Sequence, residues 1–252
     1  MFADERRNAI VELVNKNGSV TVSQLMDTYG VSIETVRRDL EYLEKKLLLK
    51  RVHGGAISGK GMQKISQLRE RLSENIEKKQ KLCRTAMQFV SENDVIFLDS
   101  GSTPIELAKL IRDNIKHAVI ITNSPELLEI LSANSGLEII LTGGKYYVQE
   151  HALYGTLAVD SIKALHAHKA FVFPTSVNLS GIGADHYEFV DIQRAYIQSA
   201  DKVFILADST KVNKSALHMV SALQESFTVI TDDELAETIY STYKKNGIKI
   251  IK

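Results

Sequence analysis

From residue 95 onward the chain alternates short β-branched runs with helical stretches, and this alternation restricts the fold more than any other feature. The runs are Val95–Leu98, Ala118–Thr122, Glu138–Thr142, Ala170–Phe173, Val203–Leu206, Phe227–Ile230 and Ile248–Ile251. Helices fall between most of them, notably Ile105–Ile111, Glu126–Leu131 and Phe189–Ser199. Parallel neighbours need long crossovers, and a helix is the usual one, so the pattern predicts a C-terminal α/β domain with a mostly parallel sheet. A charged amphipathic helix over Gln67–Val90 is expected to lead into it.

The first 57 residues follow another period. Ala9, Ile10, Leu13 and Val14 form one apolar stripe, which Asn17-Gly18 ends. A second helix is predicted to start at Thr21, whose hydroxyl caps it and whose Gln24 completes a Thr-x-x-Gln box, and to stop at Gly30. A third starts at the cap Ser32 and places Ile33, Val36, Leu40, Leu43 and Leu47 on one side. Leu48–Val52 reads as a strand and His53-Gly54-Gly55 as a turn into Ala56-Ile57, which predicts a small β-hairpin. Helix, glycine corner, helix and basic hairpin form the layout of a winged helix-turn-helix. The expected division is therefore a DNA-binding domain over 1–57, a linker over 58–65 and an α/β domain over 66–252.

Charge sharpens this division. Lys and Arg number 31 and Asp and Glu 31, a balance that speaks against a nucleic-acid partner when taken over the whole chain. Residues 37–64, however, carry eight basic groups against three acidic ones. That segment begins inside the third helix and runs past the hairpin, so it can meet the phosphates of duplex DNA. Ser32, Thr35, Arg37 and Arg38 lie in the first turns of the third helix, mostly off its apolar seam, where base edges and phosphates are met. Lys50, Arg51 and His53 belong to the wing. The plainer reading of Arg37-Arg38 is a solvated face, and the caps, corner, helix phase and hairpin together weigh against it. Glu34 suits the helix dipole better than a cytosine contact.

In the sheet half, a hydroxyl-rich loop, Asp99-Ser100-Gly101-Ser102-Thr103, ends the first strand, and Pro104 suits the first position of a helix. Backbone N–H groups and hydroxyls then converge on a positive helix end, a site for phosphate. Thr122-Asn123-Ser124-Pro125 repeats the design one strand later, and Thr142-Gly143-Gly144 ends a third. Side by side, three such ends would line the crevice of an open α/β sheet. As plain structure, each is also an ordinary turn or cap.

Val31-Ser32-Ile33-Glu34-Thr35-Val36-Arg37-Arg38-Asp39-Leu40 and Arg51-Val52-His53-Gly54-Gly55-Ala56 resemble the V-S-x-x-T-[IV]-R-R-D-L and R-x-H-G-G-A signatures of the DeoR family of bacterial transcriptional regulators. The resemblance extends over nearly the whole chain. Glu70-Arg71, Asn75 and Lys78 resemble the E-R-x-x-x-N-x-x-K lead helix of the DeoR sensor domain. Leu98–Thr103 resembles its L-D-x-G-[ST]-T loop, Thr122-Asn123-Ser124 its T-N-S, and Leu206–Lys211 its L-x-D-x-[ST]-K. It implies a winged helix-turn-helix that binds operator DNA, with Thr35, Arg37 and Arg38 in its recognition helix. It further implies a sensor domain resembling ribose-5-phosphate isomerase that responds to phosphorylated sugars. Ser100, Gly101, Ser102 and Thr103 carry over as the phosphate loop, and Asp99, Asn123, Gly143, Gly144 and Lys211 as crevice residues. One stretch departs from the pattern: Phe173-Pro174-Thr175-Ser176-Val177 stands where many members have G-x-D-G, so part of the pocket wall differs. His186 and Glu188 read as loop residues.

The expected function is a sequence-specific regulator, a repressor of carbohydrate genes, whose operator binding is modulated by a phosphorylated sugar. A homo-oligomer, dimer or tetramer, suits paired half-sites. The alternative is a sugar-phosphate isomerase fused to a DNA-binding module, with Asp99 and Asp208 the nearest carboxylates, but no pair of carboxylates has the setting catalysis needs. A third reading leaves the sheet domain only to oligomerise. A lone Cys83 excludes a cysteine metal cluster and is expected in the core. Neither cofactor nor metal is expected. No apolar run spans a membrane and the N-terminus has no signal-peptide core, so the expected compartment is the cytoplasm.

Overall fold

The computed structural model describes residues 3–17, 19–46, 48–52, 54–58 and 68–252. Two compact units divide it, Met1–Ser66 and Gln67–Lys252. Of the expected linker 58–65, Ser58 closes a strand and 59–65 lie outside the described residues, as do Gly18, Leu47, His53 and Gln67.

The N-terminal unit runs α1 (Ala3–Asn17), β1 (Ser19–Thr21), α2 (Val22–Tyr29), α3 (Ile33–Lys45), β2 (Leu49–Val52) and β3 (Gly55–Ser58). Both predicted caps form: Thr21 and Gln24 close a reciprocal box over α2, and the Ser32 side chain accepts from the Thr35 N–H. Ile10, Val14, Leu25, Val36, Leu40 and Leu43 are buried in one core, so the stripes of α1 and α3 face each other as their periodicity requires. Ile33 is only half-buried. The hairpin gains a third strand that its pattern does not announce, since β1 pairs antiparallel with β3 in the order β1-β3-β2. Gly55 makes that pairing possible, because a Cβ there would lie 2.1 Å from the Val20 carbonyl oxygen.

The C-terminal unit begins with α4 (Leu68–Ser73) and α5 (Ile76–Met87). The single lead helix expected over Gln67–Val90 is therefore broken, at Asn75, whose φ of 51° is a left-handed conformation that asparagine tolerates and a helix does not. There follow β4 (Val95–Leu98), α6 (Ser102–Asn114), β5 (Ala118–Thr122), α7 (Pro125–Leu131), β6 (Leu137–Leu141), β7 (Lys145–Tyr147), β8 (Ala152–Tyr154) and α8 (Thr156–Lys163). The chain ends through β9 (Ala167–Val172), β10 (Ser176–Asn178), β11 (Gly181–Ala184), α9 (Tyr187–Gln198), β12 (Ala200–Leu206), β13 (His218–Ser221), β14 (Phe227–Ile230), α10 (Glu237–Lys245) and β15 (Lys249–Ile251).

Seven strands form one sheet in the order β15-β14-β12-β9-β4-β5-β6, and every pairing in it is parallel. Each face buries its own core, one built around Phe97, Tyr196 and Val229 and the other around Leu82, Ile111 and Phe171. Cys83 is in the second of these, where burial pushes its thiol pKa up and keeps it unreactive. From β4 the chain first winds outward through β5 and β6, then returns to the other side of β4 at β9 and winds away through β12 and β14. The strand order thus reverses between β4 and β9, which opens a crevice at their carboxyl ends. The short antiparallel pieces, β7-β8 and β10-β11-β13, are additions to this frame. Among the described residues no helix is long and apolar enough to cross a membrane.

Candidate functional site

In the N-terminal unit, α3 has two unlike faces. Val36, Leu40 and Leu43 are buried, while Ser32, Arg37 and Arg38 are exposed and Thr35 half-buried. Neither Arg37 nor Arg38 has a hydrogen-bond or ion-pair partner among the described residues, so both guanidinium groups are available to an outside anion. Glu34 stands exposed in the first turn, at the positive end of the dipole. Arg51 is exposed on β2, its N–H donating to Glu44 Oε1 at 2.8 Å; Lys50 lies in the same strand. Asp39, the third residue of Arg-Arg-Asp, turns inward: Arg6 Nε donates to Asp39 Oδ2 at 2.7 Å and Arg7 Nε to Asp39 Oδ1 at 2.8 Å. Arg7 also lies over the Tyr42 ring at 4.0 Å. This buried carboxylate ties α1 to α3 and fixes how the exposed face is presented.

In the C-terminal unit a cavity of about 100 Å³ opens at the crevice between β4 and β9. Asp99, Ser100, Gly101, Ser102, Thr103 and Lys211 all line it, together with Arg71, Glu150 and Gln193. The loop after β4 turns through Gly101, whose φ of 129° and ψ of −175° suit glycine alone, and α6 starts at Ser102. Pro104 is thus in the third helical position and not the first; it is tolerated there because first-turn amides have no intrahelical acceptor. No side chain caps α6 among the described residues, so its first N–H groups remain for a bound anion.

Asp99 sits beneath this loop. Ser100 N–H donates to its Oδ1 at 2.8 Å, and its Oδ2 accepts from Gln193 Nε2 at 2.8 Å and Phe173 N–H at 3.3 Å. Burial outweighs these donors and raises its pKa to about 6. Because the folded state then prefers the proton more than the unfolded chain does, Asp99 opposes folding as pH rises from about 4 to about 6. The cost above pH 6 is roughly 3 kcal/mol, which protonation below pH 4 removes. Carboxyl-carbon NMR should place the Asp99 midpoint near pH 6, and a midpoint at or below 4 would contradict the dominance of burial. Lys211 is half-buried and its pKa is lowered, first by burial, against the pull of Asp208.

Not every expected residue reaches this cavity. Asn123 is fully buried behind it, with Nδ2 donating to the Leu153 carbonyl at 3.0 Å and Oδ1 accepting from Tyr196 OH at 3.2 Å. Gly143 and Gly144 follow β6, two strands from β4, and Gly144 packs its backbone against Tyr154 and Ala158. The ends of β4, β5 and β6 are adjacent as expected, but the cavity opens on the β9 side of β4, where the strand order reverses. Phe173, Pro174 and Thr175, the departing stretch, supply wall on that side. His186 precedes α9 and Glu188 lies in its first turn, so Glu188 belongs to a helix and not a loop. Glu150 and Gln193 were not singled out by the sequence, and Arg71 only as part of the lead-helix motif and not as a cavity residue. Gln193 did leave a signal, a polar residue three positions from both Val190 and Tyr196 on the buried stripe of α9.

Two family descriptions match the chain: "DeoR C terminal sensor domain" over residues 74–233 and "DeoR-like helix-turn-helix domain" over residues 6–61. The chain belongs to the DeoR family. This DeoR-family chain is similar to the HTH-type transcriptional repressor GlcR of Bacillus subtilis, with 31% identity over 100% of this chain and 96% of that one. It is similar to the lactose phosphotransferase system repressor of Lactococcus lactis, with 30% identity over 94% of this chain and 93% of the other. Among solved structures, a D-ribose-5-phosphate isomerase in complex with phospho-erythronic acid matches at TM-score 0.41 and 17% identity, covering 54% of each chain.

Proposed function

We propose that this DeoR-family regulator is a repressor that reads an operator through Thr35, Arg37 and Arg38 of α3, steadied by Arg51 and Lys50 of the wing, and responds to a phosphorylated sugar in the β4–β9 cavity. The observation that carries the reading is the two-faced α3, apolar inward and bearing outward two guanidinium groups without a partner among the described residues. The names of the two relatives, both repressors and one of a lactose phosphotransferase system, support the carbohydrate side. A phosphate fits the uncapped start of α6, and Lys211 and Arg71 supply positive charge beside it. A symmetric dimer suits paired half-sites, and coupling between effector and operator is reciprocal. The arrangement supports sensing over turnover, because both oxygens of Asp99 are taken by protein donors and leave it poorly placed as a base.

The test uses DNA selected by the full-length protein from a random pool. Arg38→Ala is expected to weaken binding by roughly 10- to 100-fold, as loss of one good base or phosphate contact does. Fluorescence anisotropy across a salt series checks it, and affinity equal to the parent protein would remove α3 from the reading role.

A further inference from the structure

Five buried side-chain polar atoms have no hydrogen-bond partner among the described residues, and three belong to side chains lining the β4–β9 cavity: Arg71 Nε, Glu150 Oε1 and Gln193 Oε1. A fourth, His186 Nε2, is close by; its ring packs on Phe189 of the cavity wall with centroids 5.0 Å apart. Unpartnered buried polar atoms are rare in folded proteins, and a group of them around one cavity points to a ligand that pairs them.

Each of the three side chains is held at one end and unpaired at the other. Gln193 Nε2 donates to Asp99 Oδ2 at 2.8 Å and to the Phe173 carbonyl at 3.3 Å. Those two acceptors fix which end of the amide is nitrogen, so the unpaired Oε1 is an acceptor. Glu150 Oε2 takes Arg71 Nη2, which leaves Glu150 Oε1 and Arg71 Nε. Gln193 and Glu150 are 3% and 2% exposed, so water does not substitute freely at either. The set asks for groups that donate to two acceptors and accept from one donor. A hydroxyl does both, whereas a ketone, ester or ether oxygen only accepts and leaves both acceptors bare.

Resting on the phosphosugar reading above, we propose that Arg71, Glu150 and Gln193 form the hydroxyl-reading end of the effector pocket, selecting a phosphate ester of a polyol or sugar with free hydroxyls beyond the phosphorylated carbon. The phosphate loop supplies anchorage common to many esters, and this cluster supplies discrimination among them.

Calorimetry on the full-length protein with ethyl phosphate, glycerol 3-phosphate and a hexitol 6-phosphate tests this. Affinity is expected to rise by about tenfold or more from ethyl phosphate to the best polyol ester, because a site with unpaired polar atoms rejects a ligand that leaves them so. Glu150→Gln and Gln193→Met are expected to remove most of that gain while changing ethyl phosphate affinity by less than about threefold. If ethyl phosphate binds and hydroxyls add nothing in the parent protein, the proposal is overturned, whether or not the variants fold. An equal loss for all three esters in the variants also overturns it. If no phosphate ester binds, the phosphosugar reading itself fails.

Discussion

Asp39→Ala is expected to unfold the N-terminal unit at temperatures where the C-terminal unit stays folded, and operator binding is expected to vanish with it. Asp39 is 1% exposed and accepts from two arginines of α1, so its loss leaves two guanidinium groups facing a site from which water is largely excluded. Breaking a buried ion pair by removing one partner costs about 3–5 kcal/mol. Here the value falls below that range, about 2–3 kcal/mol, because the arginine side chains keep 11% and 22% of their surface and can turn partly to water. A unit of this size has only a few kcal/mol of stability, so even that loss is decisive. Amide NMR or limited proteolysis of the full chain would show N-terminal signals lost and C-terminal ones kept. Arg38→Ala, by contrast, should lose DNA affinity with the unit intact. A folded Asp39→Ala protein with parent-like DNA affinity would show that the clamp does not set the geometry of α3.

The contrast between Arg38 and Asp39 shows what sequence patterns report. Periodicity placed Val36, Leu40 and Leu43 inward and Arg37 and Arg38 outward, and the structure has them so. The same periodicity left Asp39 without a place, because its partners, Arg6 and Arg7, are more than 30 residues away and no local rule pairs them. In the sheet, three of the seven strands fall on their expected residues, since strands buried on both faces are continuous apolar runs with sharp ends. The loop after β4 was legible for a similar reason, as its glycine and hydroxyls are local requirements of one turn. Strand order was not legible, and strand order decides which ends share a cavity. Asn123 and Gly143 therefore lie outside the wall, while Arg71, Glu150 and Gln193, brought from α4, the β7–β8 turn and α9, lie in it. The short strands β7, β8, β10, β11 and β13 have three or four residues each, too few for period-two alternation to stand out.

Lys211→Met is expected to lower phosphosugar affinity by roughly 30- to 100-fold and to leave operator binding without effector unchanged. A charge-assisted hydrogen bond to phosphate is worth about 1.5–3 kcal/mol, and the remaining positive charge, on Arg71, is already engaged by Glu150. Stability separates this role from a structural one. Lys211 forms no ion pair among the described residues, and burial disfavours its charged form, so the ligand-free protein gains little from holding it there. Replacing it with an apolar side chain of similar length should keep or raise the melting temperature of the ligand-free protein while shrinking the rise that ligand produces. The direction of the pKa shift adds a second signature. A bound phosphate favours the protonated lysine, so affinity in the parent protein should fall as pH rises through the lowered pKa of the free site, and this fall should be absent in Lys211→Met. If instead the variant loses stability without ligand and its remaining affinity keeps the parent pH profile, Lys211 supports the loop and does not hold the anion.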